Sequence, residues 1–81
     1  MSGRTYTLAE LAPELDEAVL VQWHVHEGQA VATDADLVDV VTDKAIITIP
    51  TPVGATIARL AQAVDARLRP DSVMLTVTPL G

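Results

Sequence analysis

The sequence has 81 residues, no cysteine and a formal charge of −6. A chain of this length builds one domain around a thin core, and without thiols it has no disulfide staple, no thiolate metal site and no cysteine nucleophile. Eleven acidic residues against one Lys and four Arg would repel a nucleic-acid backbone or an anionic bilayer, and suit docking on electropositive protein surfaces.

The apolar runs are too short to span a membrane. Met1 to Leu8 has neither a cationic cluster nor an apolar segment of the secretory kind. The expected location is therefore cytoplasmic, or the mitochondrial matrix in a eukaryote. Residues 1–4 are expected as a disordered N-terminus or an appended remnant, 5–79 as one domain, and 80–81 as a C-terminal tail.

Val19 to Val25 alternates, with Val19, Val21, Trp23 and Val25 on one face and Leu20, Gln22 and His24 on the other, which predicts a half-buried strand. Glu27-Gly28-Gln29 supplies a turn, Val31 a short strand, and Asp34-Ala35-Asp36 a second turn.

Leu37 to Val41 and Ala45 to Ile49 are two β-branched runs whose join, Asp43-Lys44, has the length of a two-residue hairpin loop. Pairing Thr42 with Ala45 sets Val41 opposite Ile46, Val40 opposite Ile47, Asp39 opposite Thr48 and Val38 opposite Ile49. Apolar then meets apolar and polar meets polar.

Pro50 and Pro52 end that strand. Thr56 to Leu60 resumes an extended pattern, and the last strand runs from Val73 to Val77. A helix over Thr56 to Leu68 is the alternative for the alanine-containing stretch.

Sliding the chain by thirty-seven residues lays Pro13 on Pro50, Ala18 on Ala55, Leu20 on Ile57, Trp23 on Leu60, Val31 on Leu68 and Asp34 on Asp71. Few positions are identical, yet the apolar pattern and the turns coincide, which implies two similar β halves. Two such halves can bury their apolar faces only against each other, so the expected fold is all-β, a flattened barrel or sandwich of two sheets with pseudo-twofold symmetry. The expected core is Leu15, Val21, Trp23, Val38, Val40, Ile47, Ile49, Ile57, Leu68, Met74 and Val77.

Lys44 is the only lysine, and the pattern puts it at a hairpin tip. A charged turn residue that keeps an edge soluble is the ordinary explanation. However, Asp39-Val40-Val41-Thr42-Asp43-Lys44-Ala45, running into Ile49-Pro50-Thr51-Pro52-Val53, resembles the lipoyl-attachment motif of the lipoyl domains of dihydrolipoyl acyltransferases. Val21 to Val31, in which a tryptophan-bearing strand leads into the Glu27-Gly28 turn, is similar to another family segment. The resemblance covers nearly the whole chain. It implies a barrel-sandwich of two four-stranded sheets related by a pseudo-twofold.

The same resemblance implies lipoic acid in amide linkage to Lys44, with Asp43 and Ala45 as the flanking motif, and no catalytic residue of the domain's own. It implies as partners a lipoate ligase or transferase, a thiamin-diphosphate-dependent 2-oxo acid dehydrogenase, an acyltransferase core and dihydrolipoyl dehydrogenase. Val41 and Ile46 near the tip are candidate partner contacts, ordinary hairpin pairing being the alternative, with Glu27 and Gly28 as further candidates. This chain departs from the family pattern where Asp65 and Asp71 replace glycines, and Asp is among the residues that tolerate left-handed backbone.

Competing readings are a biotinyl carrier, whose lysine would typically lie between methionines rather than Asp43 and Ala45, and an unmodified interaction domain of the same fold. His24 and His26 share a strand face as paired metal ligands would, although solvated strand histidines have the same spacing. No metal is expected. Asp34, Asp36, Asp39 and Asp43 lack the spacing of a calcium loop, and Trp23 reads as core.

Overall fold

The computed structural model describes residues 3–79. Its strands are β1 (Arg4–Thr7), β2 (Ala18–Trp23), β3 (Ala30–Val31), β4 (Asp36–Val41), β5 (Ile46–Pro50), β6 (Ala55–Leu60), β7 (Arg67–Leu68) and β8 (Val73–Pro79), with one helical turn, α1 (Leu8–Leu11). They form two four-stranded sheets, ordered β1-β8-β6-β3 and β5-β4-β2-β7, and every pairing is antiparallel. The stretch from Thr56 to Leu68 is strand β6, a loop and strand β7 rather than a helix. Met1, Ser2, Leu80 and Gly81, which make up half of the expected leader and the whole tail, lie outside the described residues; Arg4 opens β1.

The thirty-seven-residue shift carries β2 onto β6, β3 onto β7 and β4 onto β8, so that the β4-β2-β7 part of one sheet corresponds to the β8-β6-β3 part of the other. The symmetry extends to single hydrogen bonds. Gly28 N–H donates to Ile57 O at 2.6 Å and Asp65 N–H to Leu20 O at 2.8 Å; His24 N–H donates to Leu37 O at 2.8 Å and Ala61 N–H to Met74 O at 2.9 Å. Each pair of bonds is related by the same shift. Because the Gly28 and Asp65 bonds of each half end on the other, neither half is self-contained.

The same operation relates the bulges. Between β2 and β4 the register slips at Leu20/Gln22, and between β6 and β8 it slips at Ile57/Arg59. Val21 is therefore an extra residue. An extra residue inverts side-chain alternation beyond it, so Leu20 points inward, Val21 is left 37% exposed, and Trp23 turns back toward the core, opposite Val38.

This corrects the expected core, which held Val21 and omitted Leu20. Val21 is an exposed position, Leu20 is fully buried, and Trp23 and Ile47 are half-buried at its margin. Leu8, Leu37 and Leu75 also belong to the core. Leu37 is the extra residue of a second slip, between Asp36 and Val38, which lets Leu37 and Val38 both be buried although they are consecutive.

Trp23 is seated by its ring nitrogen, which donates to Gln62 O at 2.9 Å. That bond accounts for its position as a half-buried anchor with a satisfied polar end.

Helix α1 was not expected. Four residues are too few to show a helical period, but Thr7 and Glu10 form a capping box: the Thr7 hydroxyl accepts from Glu10 N–H at 3.4 Å and Glu10 accepts from Thr7 N–H at 3.0 Å. The cap turns the chain so that Leu8 is buried, and it starts the loop over 12–17 that reaches the hairpin tip.

Candidate functional site

The β4–β5 hairpin has the register read from its residue types: Val41 faces Ile46, Val40 faces Ile47, Asp39 faces Thr48 and Val38 faces Ile49. Thr42 N–H closes the loop on Ala45 O at 2.9 Å. The Thr42 hydroxyl then fastens the turn from inside, accepting from Lys44 N–H and Ala45 N–H at 3.3 Å each and donating to Ala45 O at 3.2 Å. Two backbone donors that a tight turn leaves without partners are thereby satisfied by one side chain. Thr42 was legible only as a pairing residue; the Thr two places before Lys44 was the signal for this second role.

Asp43, Lys44 and Ala45 are all exposed. Among the described residues Arg4 pairs with Glu10 and His24 lies against Asp39, and Lys44 takes part in neither contact. Its ammonium thus stands in water at the end of a stiff arm of sheet, with a methyl group as its neighbour on one side. A primary amine so placed is open to acylation once a modifying enzyme takes its proton.

The expected partner-contact residues fall in two places. Ile46 is 66% exposed and Val41 is half-buried, side by side at the tip. Glu27 and Gly28 are not brought to them. β2 runs antiparallel to β4, so the tip lies beside the start of β2 and the 27–28 turn lies beyond its end. There Glu27 accepts from Leu60 N–H at 3.0 Å and Gly28, at a φ of 90°, donates its N–H to Ile57 O, both fastening the turn to β6.

Two concavities flank the tip. One, of about 600 Å³, is walled by Glu14, Asp16 and Glu17 of the 12–17 loop and by Asp43 and Lys44, with Leu15 and Ile47 behind them. The other, of about 250 Å³, is an open groove whose lining includes Ala18, Val19, Val41 and Arg67. The loop residues had no motif to announce them, since their approach to Lys44 is a tertiary contact.

No group of three His, Asp or Glu side chains that could hold a metal ion is found among the described residues. His24 Nε2 instead lies 2.9 Å from Asp39 Oδ1, which also accepts from the Thr48 hydroxyl at 2.7 Å. The Thr48 hydroxyl first, and His24 second, hold the Asp39 carboxyl below the usual carboxylate range.

Asp39 therefore stabilises the fold above the ordinary carboxylate pKa. Below it the unfolded chain takes up a proton before the folded one does, and the contribution is lost as the pH falls through the folded value. Urea midpoints between about pH 3 and pH 6 should fall less steeply with acid in Asp39→Asn than in the parent. An unchanged slope would mean that these contacts do not bias the titration.

An all-β barrel-sandwich that presents one exposed lysine at a register-locked hairpin tip is a lysine-presenting carrier fold. The family model described as "Biotin-requiring enzyme", covering biotin and lipoyl attachment, matches residues 5–77, and the chain belongs to that family. It is 37% identical over 60 residues, 74% of the chain, to the lipoamide acyltransferase component of the branched-chain alpha-keto acid dehydrogenase complex of Pseudomonas aeruginosa. It is 38% identical over 45 residues, 56% of the chain, to the dihydrolipoyllysine-residue succinyltransferase component of the 2-oxoglutarate dehydrogenase complex of Buchnera aphidicola. The matched parts are 14% and 11% of those relatives' lengths. No helix among the described residues is long and apolar enough to cross a membrane.

Proposed function

We propose that Lys44 carries lipoic acid in amide linkage and that the domain moves acyl groups between the active sites of a 2-oxo acid dehydrogenase complex. The observation that carries this reading is the placement of Lys44: the sole lysine, exposed, between Asp43 and Ala45, on a turn fixed by the Thr42 hydroxyl. The family holds its cofactor on a lysine, and both relatives cited are lipoyl-type acyltransferase components, which favours lipoate over biotin.

When bound, the lipoyl group would supply a ring disulfide able to accept an acyl group together with two electrons and to pass that acyl group to an acceptor thiol, which leaves a dithiol. The protein's own contribution is mechanical and electrostatic. The paired strands of the hairpin fix where the arm begins, and tethering raises the arm's effective concentration at each partner site.

A lipoate ligase or transferase would install the group. A thiamin-diphosphate-dependent dehydrogenase would load it, an acyltransferase core would unload it and dihydrolipoyl dehydrogenase would reoxidise it. The acidic residues around the tip, Glu14, Asp16, Glu17 and Asp43, favour partners whose active-site entrances carry positive charge.

Intact mass after incubation with lipoate, ATP and a lipoate ligase is expected to show one lipoyl adduct, absent from Lys44→Ala. An unchanged mass in the parent protein overturns the reading. Addition of biotin by a biotin ligase, in place of lipoate, would move the chain to the biotinyl branch.

A further inference from the structure

Resting on the reading that Lys44 bears a lipoyl amide, we propose that the arm has a docking site on this domain: the outer-face groove across β4, β2 and β7, where Val19 and Val41 receive its dithiolane end beside Arg67. The register makes this a single row, since Val19 is paired both with Val41 on β4 and with Arg67 on β7. Val19 and Val41 are half-buried and border a groove of about 250 Å³. Asp43 also lines that groove, so it opens one residue from the attachment point. Val41 is three residues from Lys44, within about 10 Å along a strand, which is inside the reach of a lysine side chain extended by an acyl chain.

The larger hollow, which Lys44 itself lines, is the rival resting place, and charge decides between them. Its walls carry four carboxylates, Glu14, Asp16, Glu17 and Asp43, with Lys44 as their one cation. Amide formation abolishes that cation and leaves four carboxylates whose hydration an apolar ring would have to displace. The groove has two carboxylates, Glu17 and Asp43, against the permanent charge of Arg67, and apolar side chains between them. The free lysine therefore suits the hollow, and the neutral, largely hydrocarbon arm suits the groove. Modification moves the side chain from one to the other.

Because the arm is tethered, even weak apolar contact is populated, the effective concentration replacing affinity. A docked ring is partly withdrawn from solvent, so a partner must draw it out before reacting with it.

The experiment uses the fully lipoylated 81-residue chain, its modification established by intact mass. Proton NOEs are expected between the arm and the methyl groups of Val19 and Val41, with amide shift changes at Ala18, Val19 and Arg67 relative to the unmodified protein. Val19→Asp, equally lipoylated, should lose the NOEs to Val41, and a water-soluble phosphine should reduce its ring about threefold faster than in the parent, as expected when a docked state of about two-thirds population is removed. If Val19→Asp does not fold, Val19→Thr, of the same shape, takes its place. Full lipoylation with shift changes confined to 42–46, NOEs to Leu15 and Ile47 instead, or equal reduction rates would each overturn the docking site. Failure to lipoylate at all would overturn the carrier reading on which it rests.

Discussion

Leu20→Ala is expected to lower the urea midpoint by about 2 to 3 M, while Val21→Ala moves it by less than about 0.5 M. The neighbours differ because of the bulge. Leu20 is fully buried between the sheets, and removing its three outer carbons leaves a cavity that a scaffold of antiparallel strands cannot close. Such truncations cost about 2 to 5 kcal/mol, a large part of the 5 to 15 kcal/mol or so that holds a small domain together. Val21, the extra residue of the bulge, has little to lose.

The pseudo-twofold adds a control. Ile57 stands where Leu20 stands, is equally buried, and is followed by exposed Ala58 as Leu20 is followed by Val21. Ile57→Ala should therefore cost as much as Leu20→Ala within about 1 kcal/mol. If Val21→Ala proved the more damaging of the first pair, the bulge would be misplaced and strict alternation from Val19 to Val25 restored.

This contrast marks the boundary of what the residues alone disclose. The hairpin register was legible because one alignment of two β-branched runs matches apolar with apolar and Asp39 with Thr48, and any slip breaks both. The two-sheet symmetry was legible because Asp and Pro recur at turn positions thirty-seven residues apart.

The bulge was not legible. Leu20 and Val21 are both apolar, so the pattern gives no sign of which is the extra residue, and the choice is made by hydrogen bonds from the other half of the chain, such as Asp65 N–H to Leu20 O. At the site the attachment lysine could be read locally, through its turn and neighbours. The acidic wall from Glu14 to Glu17 could not, because the turn of α1 and its capping box bring it there.

Gly28→Val is expected to destabilise the domain by about 2 kcal/mol, whereas Asp65→Gly should leave it unchanged or gain about 0.5 kcal/mol. These positions are related by the pseudo-twofold and share a left-handed backbone, with φ of 90° at Gly28 and 74° at Asp65. Each donates its N–H to a core residue in the other half of the chain, Ile57 and Leu20 respectively, so the turn cannot relax to negative φ without breaking a bond that joins the halves.

Crowding does not account for the glycine, since a Cβ built at Gly28 meets nothing within 4 Å. The cost of valine there is conformational, a β-branched side chain against its own backbone. At Asp65 that strain is already present in milder form, because Asp visits this region more readily than most residues, and glycine relieves it while loosening the unfolded chain. Thermal unfolding of the two variants measures the asymmetry. If Gly28→Val proved as stable as the parent, the turn would have a negative-φ alternative, and the bond to Ile57 would not be what fixes it.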